Sequence, residues 1–131
     1  MYFKDIIGQD EIKQKFLQEV KEWRIPHALL FSGPEGIGKL PLAIAYARYI
    51  SCNNRGETDA CGTCPSCFKY HKLAHPDLNF GYPVVMKKSV NDLVSEDYIN
   101  EWRKFFAANP YFNLNDWLTE MRSDNAQAFI S

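Results

Sequence analysis

Two clusters in this sequence carry residue types that could do chemistry. The first is Phe31-Ser-Gly-Pro-Glu-Gly-Ile-Gly-Lys-Leu40, where Gly33, Gly38 and Lys39 stand at the spacing of a phosphate-binding loop: a glycine, four residues, then Gly-Lys. Glycines let the backbone curl until successive N–H groups point at phosphate oxygens, and Gly36 adds a further flexible point. A helix starting near Lys39 would turn its positive dipole end to the same anion, with the Lys39 ammonium reaching the β- and γ-phosphates. At the next position, where a hydroxyl would coordinate Mg²⁺, the chain has Leu40, which offers no oxygen. The loop therefore keeps its anion cradle and loses its cation ligand. The plain alternative is a strand-to-helix turn that binds nothing.

The second cluster is Cys52, Cys61, Cys64 and Cys67, all four cysteines of the chain. Cys61-Gly-Thr-Cys64-Pro-Ser-Cys67 sets three of them at successive two-residue gaps, which lets neighbouring thiolates face one metal while turn N–H groups bond the sulfurs. Four thiolates complete a tetrahedral Zn²⁺ shell, closed to substrate and hence structural. A disulfide framework is a second reading, but nothing in the chain suggests export, and cytosolic thiols stay reduced. A redox pair at Cys64-Pro-Ser-Cys67 is a third, which leaves Cys52 and Cys61 without a purpose. His71 and His75, four apart, could also ligate, although four cysteines already suffice; His27 reads as structural.

These clusters need elements to hold them. Ile12, Phe16, Val20 and Trp23 recur at helical spacing and predict a helix over 10–24, with Asp10 and Glu11 in its first turn, Lys21 and Arg24 in its last, and Pro26 stopping it. Ala28-Leu-Leu-Phe31 is a continuous apolar run, the pattern of a strand buried in a parallel sheet, and 42–50 is an apolar helix whose first turn tolerates Pro41. A short helix over 69–75 and a second strand over 77–82, ended by Pro83, are expected next. Met86 to Asp92, with Lys87 and Lys88, reads as an exposed loop. Ser95 caps a helix that buries Tyr98 or Ile99, Trp102, Phe105 and Phe106 and ends at Asn109-Pro110. Asn115 opens a short helical piece with Trp117, Leu118 and Met121, and Asp124 caps a last one. No internal repeat or low-complexity segment is present.

At 131 residues and 46% hydrophobic content the chain can build a real core. Its formal charge of -1 argues against wrapping a nucleic-acid backbone, so any DNA contact would be local or shared. There is no apolar run long enough for a membrane span and no basic-then-apolar leader at Met-Tyr-Phe-Lys-Asp, so a cytoplasmic location is expected.

Phe3-Lys-Asp-Ile-Ile-Gly-Gln9, Arg24-Ile-Pro-His-Ala-Leu-Leu-Phe followed by the loop to Lys39, and the cysteine module closing on His75-Pro-Asp-Leu78 occur here in one order. Together they resemble the N-terminal portion of bacterial DNA polymerase III clamp-loader subunits, of the AAA+ ATPase class, over most of residues 3–80. The resemblance implies an α/β fold of P-loop NTPase type with a parallel sheet, residues 1–131 being the N-terminal part of the domain and 52–67 an inserted zinc module. In that family a hydroxyl after the lysine marks the motor subunits, gamma/tau; Leu40 makes this chain look like the delta-prime branch, a stationary wall of the ring. Ile7 matches a position near the adenine pocket, so ATP could be held by Ile7, Gly33, Gly36, Gly38 and Lys39 without hydrolysis.

The resemblance also implies partners: the gamma/tau and delta subunits, the sliding clamp, and primer–template DNA reached through the assembled ring. The acidic Mg²⁺-binding strand, the sensor residue and the arginine motif would all lie beyond Ser131, so no catalytic residue can be picked out. Two alternatives stand beside the wall subunit: an ATP-hydrolysing gamma/tau-like subunit, and a stand-alone zinc ribbon that reads nucleic acid. Against the last, Arg55 is the only basic residue between Cys52 and Cys61, beside Glu57 and Asp59. In the family's sheet, strands from later in the chain lie between those matching 28–32 and 77–82. Each orphaned polar group would cost about 1–3 kcal/mol, so residues 1–131 alone are expected to self-associate or to pair their strands differently. Sedimentation tests this; a monodisperse monomer with the parent strand order would contradict it.

Overall fold

Spacing of apolar residues produces the first helix, α1, over Asp10–Lys21. A computed structural model, which describes residues 1–85, 95–121 and 128–129, divides the chain into two units, Met1–Leu78 and Asn79–Ser131. Phe16, Leu17 and Val20 are the buried face of α1, so the stripe is rotated from the expected one. Ile12 is partly exposed and Trp23 is 68% exposed, because the helix has ended before Trp23. There the backbone turns left-handed (φ 53°), the Trp23 N–H bonds Val20 O at 3.1 Å and the Arg24 N–H bonds Glu19 O at 2.8 Å. This closes the helix in a Schellman-type cap, three residues short of the expected end.

The second helix, α2, covers Lys39–Ser51, and the third, α3, covers Pro65–His71. A short 3-10 turn at Phe3–Asp5 leads in. Phe3 and Ile6 from that lead-in, the α1 face, and Leu42, Ala45, Tyr46 and Tyr49 from α2 form one core. Phe16 stacks on Tyr46 with ring centroids 4.1 Å apart, and the Tyr46 hydroxyl donates to Glu19 at 2.8 Å. Burial and that carboxylate push the Tyr46 phenol well above its ordinary range.

The second unit is built on aromatic rings. Its elements are β1 (Val84–Val85), a 3-10 turn (Ser95–Tyr98), α4 (Ile99–Ala108), α5 (Leu114–Glu120) and β2 (Ala128–Phe129). Trp102 lies flat on Tyr82 at 4.4 Å, and Trp117 stands edge-on to both. The Trp117 indole N–H donates to Pro83 O at 2.7 Å, which satisfies its one polar atom inside the cluster. Helix α5 starts one residue earlier than expected because Asn113 and Asp116 exchange side chain–backbone bonds in a capping box. The expected face of α4 holds for Trp102 and Phe106, with Phe105 half-buried. The loop over Met86 to Asp92 and the cap at Asp124 lie outside the described residues.

The parallel sheet expected from 28–31 and 77–82 is not present among the described residues. Among the described residues, 28–31 have no ladder partner, and Leu30 is 92% exposed; an apolar run becomes a strand only where another strand takes up its backbone groups. The sheet that is described pairs β1 with β2 antiparallel, Val84 opposite Phe129 and Val85 opposite Ala128. It begins after Pro83, where the second expected strand was to end. Helix α3 likewise starts inside the cysteine spacing, not after it.

Phe16→Ala is expected to cost about 3–5 kcal/mol of unfolding free energy in urea titration, and Trp23→Ala about 1 kcal/mol or less. Equal losses would contradict the rotated face of α1.

Candidate functional site

All four cysteines converge although they come from three pieces of chain: the C-terminal end of α2, the turn before α3, and α3 itself. Their Sγ atoms all lie within 4.8 Å of one another. Cys52–Cys64 and Cys61–Cys67 are 3.9 Å apart and Cys52–Cys67 3.8 Å. Tetrahedral bonds of about 2.3 Å put sulfurs about 3.8 Å apart, so the spacing fits one metal ion. It does not fit disulfides, whose sulfurs are about 2.05 Å apart. A redox pair at Cys64 and Cys67 would not require Cys52 and Cys61 to join it. His71 and His75 do not join the cluster; the His75 Nδ1 accepts instead from the Asp77 N–H at 3.1 Å.

Backbone N–H groups aim at the sulfurs. Those of Thr63 and Cys64 reach Cys61 Sγ, Cys61 N–H reaches Cys52, Gly62 N–H reaches Cys67, and Cys67 N–H reaches Cys64, all at 3.3–3.4 Å. The Thr63 and Cys64 N–H groups hold the Cys61 thiol down at about 6. Cys64 is also lowered: burial pushes it upward most strongly, but the N–H groups of Asn53 and Cys67 together prevail. Burial pushes Cys52 up to about 12, so a metal must displace its proton. The local sequence explains the geometry. Cys64 is the N-cap of α3, with Pro65 at the first helical position, so the two-residue gap to Cys67 is one helical turn.

Asp59 and Arg48 are among the side chains that tie the module to the rest of its unit. The Asp59 carboxylate accepts from the N–H groups of Phe3 (3.2 Å), Lys4 (3.0 Å) and Ala60 (2.9 Å). Arg48, completely buried in the last turn of α2, donates to Cys67 O at 3.2 Å and to the Tyr2 hydroxyl at 2.9 Å, with His71 Nε2 at 3.0 Å. Its guanidinium lies 3.9 Å from the centre of the Tyr2 ring.

At the opposite end of α2 is the glycine loop. Gly38 is the N-cap of the helix in the left-handed region (φ 95°), a conformation that glycine alone enters freely. Lys39 folds back over the loop, its ammonium donating to the carbonyls of Gly33 and Pro34. An anion entering the loop would replace these carbonyls as the partner of Lys39. Leu40 is half-buried in the first turn and brings no oxygen to the loop. A cavity of about 260 Å³ opens beside Gly38 and Lys39, walled by Ile12, Phe16, Leu29 and Ile37. Gly33 and Gly36 are on the exposed loop; Ile7 is outside this lining and 82% exposed.

The family described as "DNA polymerase III, delta subunit" matches residues 8–117, which takes in the loop, α2, the cysteine module and most of the second unit. The chain belongs to this family. Among curated proteins it is similar to DNA polymerase III subunit gamma/tau of Mycoplasma pneumoniae, 30% identical over 79% of this chain and 15% of the relative. It is also similar to subunit gamma of Buchnera aphidicola, at 39% over 54% of this chain and 20% of the relative, and to subunit tau of Bacillus subtilis, at 32% over 50% and 12%. The chain thus spans a fifth or less of the length of these relatives. No solved structure matches it.

In this member of the delta-subunit family, sequence reading missed Arg48, Tyr2 and Asp59. The signal for Arg48 was available, since it is the one charged residue in the apolar run 42–50. Tyr2 meets Arg48 across 46 positions of chain and Asp59 meets Phe3 across 56, so neither left a local pattern.

Gly62 offers a test of this packing. Its φ is +78°, and a Cβ there would lie 2.5 Å from the Tyr2 hydroxyl that Arg48 holds. Gly62→Ala should lower stability by about 1–3 kcal/mol, with partial recovery in the Tyr2→Phe background. An unchanged thermal midpoint would contradict the described turn.

Proposed function

We propose that this chain is the N-terminal part of a delta-prime-type clamp-loader subunit, a non-hydrolysing wall of the ring that loads the sliding clamp during DNA replication. In this reading residues 1–131 belong to one AAA+ P-loop domain carrying a zinc-binding insertion at 52–67. Cys52, Cys61, Cys64 and Cys67 hold Zn²⁺, which fixes the module without taking part in chemistry. The gamma/tau and delta subunits, the clamp and, through the assembled ring, primer–template DNA are its partners. Among the described residues no helix is long and apolar enough to cross a membrane.

The observation that carries the reading is Leu40. The loop keeps a left-handed Gly38 at the mouth of α2 and a lysine folded over its carbonyls, so phosphate can be received. The side chain that would grip the accompanying cation is hydrocarbon. Gly33, Gly36, Gly38 and Lys39 would then hold nucleotide phosphates, with Ile7 beside the base, but Mg²⁺ would lack its hydroxyl seat.

The second reading, an ATP-hydrolysing subunit, is favoured by the gamma/tau names of the relatives. It requires water and acidic residues from elsewhere to hold Mg²⁺. The stand-alone nucleic-acid module has less support, because Arg55 is turned onto Tyr49 O and Ile50 O at the end of α2, at 2.9 and 2.7 Å.

ATP binding and turnover by the full-length protein separate the first two readings. The wall reading expects no turnover above background in the wild type and Mg²⁺-strengthened nucleotide binding in Leu40→Thr. Substantial wild-type hydrolysis would end it.

A further inference from the structure

We propose that Arg48 is the counter-cation of the four-cysteine metal centre, a positioning residue that holds the charged metal–thiolate unit against the end of α2. The inference rests on the metal reading above and adds to it a residue outside the ligand set.

Arg48 is 0% exposed, and among the described residues its Nε and Nη1 have no hydrogen-bond partner. Among the described residues no carboxylate lies within ion-pairing distance of it. Asp59 is engaged by the N–H groups of Phe3, Lys4 and Ala60. The groups that do meet the guanidinium bring no negative charge: the Cys67 carbonyl, the Tyr2 ring and hydroxyl, and the His71 imidazole. A buried cation without a compensating charge is among the costlier arrangements in a protein.

The larger part of the compensating charge comes with a divalent metal, which takes all four cysteines as thiolates. Four thiolates around one Zn²⁺ carry a net charge of about -2. Cys67, itself 0% exposed, contributes one of those sulfurs and accepts the Arg48 hydrogen bond through its carbonyl. The centre also abuts the C-terminal end of α2, where the helix dipole disfavours negative charge and a cation in the last turn is favoured. Arg48 therefore opposes the metal-free state and supports the loaded one. A guanidinium serving only as packing would support both alike.

The test compares Arg48→Met and Arg48→Lys with the wild type in the full-length protein, reading zinc affinity by competition with a chromophoric chelator and thermal midpoints with and without metal. Arg48→Met should weaken zinc binding by at least about tenfold, while the midpoint of the metal-free protein stays or rises. Arg48→Lys, which keeps the charge, should bind zinc within about threefold of the wild type. Equal loss in both variants, unchanged affinity in Arg48→Met, or a fall of both midpoints by the same amount would overturn the inference. Absence of zinc binding by the wild type would instead overturn the metal reading on which it rests.

Discussion

Convergence of four sulfurs is the constraint on which the first unit depends. Cys52 ends α2, Cys64 starts α3, and Cys61 and Cys67 lie on either side of Cys64, so one point in space fixes two helix termini and the turn between them. The polar stretch between Cys52 and Cys61 has few apolar residues with which to fold itself. Its order comes from N–H groups bonded to sulfur, from Asp59 bonded to the lead-in, and from Arg55 bonded to the carbonyls that end α2. A metal at this point would supply directly the folding energy that so small a module lacks.

Helix α2 carries both clusters, one at each end. Its N-terminus receives the glycine loop and Lys39; its C-terminus meets the sulfurs and carries Arg48. Between them Leu42, Ala45, Tyr46 and Tyr49 pack on α1 and the lead-in, so the loop and the cysteine module are set by one buried rod. At the N-terminal end Lys39 lies over the loop carbonyls, and Leu40 next to it carries no oxygen.

The readable features were those in which chemistry and spacing coincide. The Cys64-x-x-Cys67 gap is one helical turn seen in sequence, and Gly38-Lys39 is a helix start whose left-handed cap favours glycine, so both could be located from sequence. Helix ends were less legible. Trp23 fits the apolar period but falls beyond a cap made by backbone bonds, and Asn113 was passed over as a cap although Asp116 follows it at the right distance. The strands were the least legible. Ala28–Phe31 is apolar enough for a buried strand, but strand formation belongs to the neighbour as much as to the segment, and no neighbour is described. Arg48 was overlooked because helical periodicity ranks residues by hydropathy, and a charge on a buried face is meaningful only once the groups around it are known.

Zinc-edge X-ray absorption on the purified full-length protein bears most directly on the four-sulfur centre. The account predicts one zinc with four sulfur neighbours at about 2.3 Å. A shell containing imidazole nitrogen, or a protein that takes up no zinc, would contradict it.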